Sequence, residues 1–318
     1  MAFRFFQRTF PSANMILVEG TRPLLIDSGF GSDIDDTVAL LKRAGVDPRD
    51  LQMVANTHHH CDHVGGNHGL QTRYGVQIGA QRWEGTMVNR RDREACSAEW
   101  LVQPIQPYTV DVFLDDGDVI DTGDVQVQVI HTPGHTLGHL CYYADGVLIA
   151  GDAFHGDDVA WINVFREGGG AIYRLLESLD RLARLPLKRS YSGHGAACDQ
   201  PLAAIDAARR RYDKWLDDPQ KIGWHACKRI FTYALMLYDG MTETECRAYL
   251  LRAGWFLDYS RHIFDTEPVD FVAPMLDELI RSGAARWHDG KLLPNAAYDP
   301  PPPGWLDAIK PPRWWNAP

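Results

Sequence analysis

A chain of 318 residues with 45% hydrophobic content can bury a sizeable core, and its length exceeds that of a usual single domain. Its formal charge of −10 argues against a general polyanion binder such as a nonspecific nuclease, which relies on a Lys/Arg surface, so nucleic acid is not an expected partner. The stretch Phe3, Arg4, Phe5, Phe6, Gln7, Arg8 lacks the continuous apolar run of an export signal, and no apolar run approaches the roughly eighteen residues of a membrane span; a soluble, cytoplasmic protein is expected.

Residues 15–18 and 23–27 read as paired strands around Glu19, Gly20 and Thr21. A helix comes next, with Ser32 as N-cap, Asp33, Asp35 and Asp36 at the positive end of its dipole, and a stripe of Val38, Leu40, Leu41 and Ala44 before Gly45. The apolar run Met53, Val54, Ala55 then leads into the densest chemistry of the chain: His58, His59, His60, Asp62 and His63 within six positions, with Gly65 and Gly66 to turn the backbone. Protonated together, such imidazoles would repel; a divalent cation makes neutral rings and a carboxylate useful ligands. In an extended segment residues i and i+2 share a side, so His58 and His60 can hold one ion and His59 faces away. Asp62 and His63 come after the turn begins and can hold a second ion, about 3.5 to 4 Å from the first as in two-metal hydrolytic sites.

Residues 80–108 form an insertion with Trp83, Trp100, Tyr108 and the charged stretch around Arg90, Arg91 and Arg93. It is expected to overhang the site, with Trp83 as a substrate contact. Three further strand-like runs end beside glycines in candidate ligands: residues 125–130 before His131, His135 and His139; residues 146–151 before Asp152; and residues 190–193 before His194. His155 and Trp161 lie shortly after Asp152 and are candidates for substrate contact, with His155 polarising a carbonyl or protonating a leaving group. His139 and His59 are expected to support the site through hydrogen bonds. His68, His225, His262 and His288 lie outside the motifs and read as ordinary surface or core side chains. The six cysteines (Cys61, Cys96, Cys141, Cys198, Cys227, Cys246) lack Cys-x-x-Cys pairing and read as reduced thiols.

With these four motifs in order, roughly residues 10–200 resemble the metallo-β-lactamase superfamily. The resemblance implies an α/β fold, the four-layer αββα sandwich with metals at one edge between the sheets. It implies His58, His60 and His135 on a first metal, Asp62, His63 and His194 on a second, and Asp152 bridging both. It further implies a hydrolase in which a metal-bound hydroxide cleaves an ester, thioester, lactone or amide bond of a small molecule, with Asp62 orienting the attacking oxygen and relaying its proton. Zinc is the expected ion, and iron or manganese suits the same donors.

Residues 57–67 resemble the hydroxyacylglutathione hydrolases, but the Gly-Cys-Gly-Arg-type segment that family carries after its bridging aspartate is replaced here by Ala153, Phe154, His155 and Gly156. Acyl-homoserine lactonases carry a tyrosine where this chain has His155. A true β-lactamase would carry an export signal. Two alternatives stay open: an iron-dependent redox enzyme of the same fold, similar to sulfur dioxygenases, and a metal-binding regulator with little catalytic activity.

Beyond the motifs, residues 203–216 have a helical pattern that Asp217, Asp218 and Pro219 are expected to end. Helices are expected over residues 226–237 and 269–281, with another opened by a capping box at Thr242 and Glu245. Residues 285–293 read as two short strands around Asp289 and Gly290. Three helices and a hairpin resemble the winged-helix appendage of some superfamily members, but the third helix carries Asp270, Asp277 and Glu278 against Arg281 and does not suit a DNA groove. The expected organisation is a catalytic domain over residues 1–218, with the insertion at about 81–110, a mainly helical winged-helix-like domain over 219–298, and a Pro/Trp-rich tail over 299–318. The appendage is expected to pack or dimerise, giving a homodimer, and tail residues Trp305, Trp314 and Trp315 to dock on their own subunit or a neighbour.

Overall fold

The computed structural model describes residues 2–309 except residue 102. A six-stranded sheet runs in the order β1 (Phe3–Phe6), β2 (Met15–Val18), β3 (Leu24–Ile26), β4 (Met53–Ala55), β5 (Ile78–Gln81) and β6 (Val112–Leu114), antiparallel up to β3 and parallel from there. Its helices are α1 (Ile34–Arg43), α2 (Cys61–Val64), α3 (Asn67–Tyr74), α4 (Arg82–Asn89) and α5 (Ala98–Leu101). Ser32 does not cap α1 as expected: its hydroxyl donates to Asp33 Oδ1 at 2.7 Å, and a 3₁₀ turn at Gly31–Asp33 runs directly into the helix.

The second sheet contains β7 (Val119–Asp121), β8 (Gln126–His131), β9 (Leu140–Ala144), β10 (Val147–Gly151) and β11 (Arg189–Ser192), in the order β11-β10-β9-β8-β7. Side-chain alternation along these strands decides the layers. Ile16, Val18, Leu24 and Ile26 from the first sheet meet Val127, Val129, Tyr142 and Ile149 from the second in one buried cluster. Their neighbours Met15, Leu17, Leu25 and Val54 turn outward onto α1 and α3, while Cys141, Leu148 and Ala150 turn outward onto α6 (Ala171–Leu182) and α7 (Pro201–Leu216). Helix, sheet, sheet, helix is thus the layer order.

After α7 the chain continues as α8 (Pro219–Leu237), β12 (Met241–Thr242), α9 (Glu243–Leu250), α10 (Gly254–His262), α11 (Pro268–Arg281), β13 (Ala285–His288), β14 (Lys291–Pro294) and α12 (Trp305–Ile309). Pro219 opens α8 at its first turn, where a missing N–H costs nothing, so the helix begins seven residues before the expected start. The capping box of α9 is present, and Asp289 and Gly290 take the positive φ of a tight hairpin turn. Two elements differ from expectation: α10 makes a fourth helix, and β12 adds a third strand in the order β12-β14-β13.

The cluster built on these helices also includes Trp100 and Leu101 of the insertion, with Trp161 and Phe165 packed against it. The helical segment therefore shares its apolar contacts with the loops beside the sandwich. Trp305 packs on Phe30 at 5.2 Å; Trp314 and Trp315 lie outside the described residues. No helix among the described residues is long and apolar enough to cross a membrane. The six cysteines are free thiols.

Candidate metal centre

Four strand ends meet at one edge of the sandwich. The extended segment after β4 places His58 and His60 on one side, and α2 then turns Asp62 and His63 toward them. His135 comes after β8, Asp152 after β10, and His194 after β11. Gly193 makes the last approach feasible, because a Cβ there would lie 2.2 Å from Asp152 Oδ1 and 2.6 Å from His63 Cε1.

The structure brings all seven expected ligands together in three overlapping groups: His58, His60, His135; His58, His63, Asp152; and Asp62, His63, His194, each with donor atoms within 4.8 Å. In the first group His60 Nδ1 lies 3.1 Å from His58 Nε2 and 3.0 Å from His135 Nε2. In the last, His194 Nε2 lies 3.0 Å from Asp62 Oδ2. Asp152 stands between them, with Oδ1 at 3.5 Å from His63 Nε2 and Oδ2 at 3.7 Å from His135 Nε2 and 3.9 Å from His194 Nε2.

Partners behind the rings fix which nitrogen is free to bind a cation. His135 Nδ1 donates to the Trp161 carbonyl at 2.8 Å, so the neutral ring presents a lone pair at Nε2. His63 Nδ1 faces Asp27 Oδ2 at 2.7 Å, and its buried Nε2 has no hydrogen-bond partner among the described residues. An orphaned buried nitrogen aimed at two carboxylates is what a cation would satisfy, so the donor set fits a metal. His139 does not join the groups; its Nε2 accepts the Asp152 N–H at 3.1 Å and its Nδ1 lies 2.8 Å from Thr132 Oγ1. His59 Nδ1 accepts the Cys96 N–H, and burial lowers the pKa of this ring to about 3.

Electrostatics divide the cluster. Burial, reinforced by neighbouring imidazoles, holds His58 and His60 well below the usual histidine range, and burial lowers His135 too. Burial acts on His63 in the same direction, but Asp62, Asp27 and Asp152 outweigh it and raise the ring well above that range. Burial would raise Asp152; His194 and His63 overcome it and hold the carboxyl well below its ordinary value.

His155 Nε2 lies 3.3 Å from Asp152 Oδ1, and Trp161 stacks on His60 at 5.6 Å; both line the cavity beside the cluster. The expectation for Trp83 is corrected: this side chain is 43% exposed on α4 and is not among the cavity-lining residues. The insertion contributes Leu101 and Gln103 instead. The setting of the helix explains the difference, because α4 turns Glu84 inward to accept from Thr136 Oγ1, which leaves Trp83 facing outward.

Several residues at the site carry no sequence motif. Burial raises Glu84 to about 7 and Glu167 to about 8, and Glu167 accepts the Leu137 N–H at 2.6 Å, so two buried carboxyls brace the loop between His135 and His139. Phe10 stacks on His194 at 4.6 Å. Tyr212 of α7 and Tyr259 of α10 donate to the carbonyls of Ala160 and Ile162, on either side of Trp161. His225, expected to be an ordinary side chain, bonds the Val159 carbonyl and lines the cavity. Helical periodicity could have marked an inner face of α8, but nothing local says what that face meets.

A family model described as the metallo-beta-lactamase superfamily matches residues 8–194, more than half of the chain and all seven clustered donors. The chain belongs to the metallo-β-lactamase superfamily. A superfamily relative named hydroxyacylglutathione hydrolase, from Maricaulis maris, is 35% identical over 173 residues, covering 53% of this chain and 58% of the relative; the chain thus spans little more than half of that protein's length. A solved metallo-beta-lactamase family protein from Thermus thermophilus superposes with a TM-score of 0.60 at 20% identity, covering 92% of this chain and 99% of the other. A metallo-beta-lactamase from Cronobacter sakazakii gives a TM-score of 0.59 at 20% identity, covering 69% of this chain and 96% of the other. At that identity these two show the superfamily fold alone, and the first alignment extends beyond the sandwich into the helical segment.

Proposed function

We propose that this protein is a dinuclear metal-dependent hydrolase acting on an ester, thioester, lactone or amide bond of a small molecule, with zinc as its ion. The observation that carries the reading is the convergence of seven donors, in three overlapping groups, beside an 870 Å³ cavity that His60, Asp62, Asp152 and His194 line, a size suited to a small organic ligand. The relative named hydroxyacylglutathione hydrolase supports acyl cleavage, and a thioester heads the substrate classes to test.

His58, His60 and His135 would hold one cation, Asp62, His63 and His194 the other, with Asp152 facing both. Bound there, two divalent cations would supply Lewis acidity toward a carbonyl and bring the pKa of a water toward neutrality. The chain's own groups do the rest. Asp62, partly buried and 3.0 Å from His194 Nε2, is the carboxylate placed to orient the attacking water, accept its proton and return it to the leaving group. His155 reaches into the cavity from beside Asp152, where its Nε2–H can turn from the Asp152 oxygen to the substrate carbonyl. Trp161 lies flat over His60 and keeps water from that side of the cluster.

The test pairs metal analysis of the purified protein with a screen of chromogenic esters, thioesters and lactones. Two ions per chain and turnover of at least one acyl class are expected, and Asp62→Asn should lower turnover by about 10²- to 10⁴-fold. A fully loaded protein inert toward every class, or one that consumes oxygen with iron bound, overturns the reading.

A further inference from the structure

The cavity does not stop at the donor cluster. It continues onto α7 and α8, where its walls change sign: away from the cluster it is lined by Arg211, Lys221, Lys228, Arg229 and Arg281 against Asp157, Asp158 and Glu278. Lys228 and Arg281 pair with Glu278 and Lys221 with Asp218, so the local surplus of positive charge, in a chain whose formal charge is −10, centres on Arg211 and Arg229. Lys228 sits two turns after Lys221 on α8 and so on the same side of the helix, with Arg229 next to it around the helix.

Arg211 and Arg229 both bond the carboxylate of Asp158, one guanidinium to each oxygen. Two guanidiniums offer about ten N–H donors to roughly four lone-pair positions on one carboxylate, so donors remain for a second acid. Both side chains are 44% exposed, and both line the cavity. Arg229 is also within electrostatic reach of Asp152 and His155, which puts it close to the reacting end. Trp215 and Trp224 line the same stretch and offer flat apolar surface.

We propose that Arg229 and Arg211, supported by Lys228, form a subsite for a carboxylate or phosphate on the substrate, so that the preferred compound carries an acidic group near its scissile bond and an apolar or aromatic body. That the bound anion belongs to a substrate rests on the hydrolase reading; the anion subsite itself does not. Binding and turnover can therefore fail separately.

The experiment is calorimetric titration of the full-length, metal-loaded protein with benzoate, phenyl phosphate and benzyl alcohol, which share one ring and differ in charge. Both anions should bind at least about ten-fold more tightly than the alcohol, and the tighter of the two identifies the preferred acid. Arg229→Gln should weaken the anions by about ten-fold, whereas Asp158→Asn, which removes the internal competitor, should tighten them. These opposite signs separate recognition from damage to the fold. Anion affinity unchanged in Arg229→Gln would place the anion on the metals, and weakening by both variants would make the pair structural; either overturns the subsite. Anion binding with these signs in a protein that hydrolyses nothing would leave the subsite standing and sink only the hydrolase.

Discussion

Four of the seven clustered donors come from a single loop after β4, whereas the other three come from three separate strand ends of the second sheet. The loop needs only local geometry: an extended step between His58 and His60, one turn of α2, and Asp27 behind His63. The second sheet must instead hold β8, β10 and β11 in one register, with Glu84, Glu167 and the helical segment bracing the loops that leave those strands. A site built this way is tolerant on neither side, but it should fail differently on each.

The largest effect should come from the group that joins the two sides. Asp152→Asn is expected to reduce bound metal from two ions to one or fewer and turnover by about three orders of magnitude or more, read by metal analysis and kinetics on one sample. Two full ions in that variant would mean that Asp152 does not join the two sides. His58, assigned to the first cation, also stands within 4.8 Å of the His63 and Asp152 donor atoms, so His58→Ala should empty the first site and weaken the second, while His194→Ala should spare the first ion. Equal losses in the two variants would mean that the loop and the strand end are not distinct.

Two glycines separate the two sides further. A Cβ on Gly65 would meet backbone, at 2.3 Å from Gly31 N and 2.6 Å from Cys61 O, whereas one on Gly193 would meet the side chains of Asp152 and His63. Gly65→Ala should destabilise by about 3 kcal/mol, at the upper end of overpacking costs. Gly193→Ala should cost about 1 kcal/mol because side chains can yield, while metal affinity falls more than stability. Thermal melts with and without chelator measure both.

The bracing carboxyls give a pH signature. With Glu84 and Glu167 raised to about 7 and 8, the folded chain binds more protons than the unfolded chain above about pH 4.5, so stability declines as pH rises through that window. Glu167→Gln should flatten the decline between about pH 5 and 8, where each such group contributes a slope approaching 1.4 kcal/mol per pH unit. An unchanged slope would mean that Glu167 does not titrate in that window. The smallest effect is expected from Tyr259→Phe, which loses the bond to the Ile162 carbonyl and should cost about 1 kcal/mol.

The donors were legible because each sits where a strand-like run meets a glycine or a turn, and the residue types carry their own chemistry: imidazoles crowded around a carboxylate have few other uses. The paired strands at residues 15–18 and 24–26, the capping box of α9 and the Asp-Gly hairpin were legible for the same reason, since each is decided within a few residues. Trp83 was misplaced because an aromatic in an insertion gives no sign of which way its helix is turned; Glu84 beside it, bound to Thr136, settles that. The start of α8 was misread because Pro219 suits both the end of one helix and the first turn of the next.

The amino-acid order is enough to pick out the seven candidate donors, through local motifs that need no partner to be recognised, and the layer order follows from the family those motifs resemble. Only the tertiary structure decided which face of α8 closes the cavity, that Arg211 and Arg229 share Asp158, and that two tyrosines from distant helices hold the loop around Trp161. The reason is physical: a metal-ligand motif is short-ranged and chemically distinctive, whereas a substrate wall is made of common residues whose meaning depends on what packs opposite them, and that is fixed by burial across the whole chain.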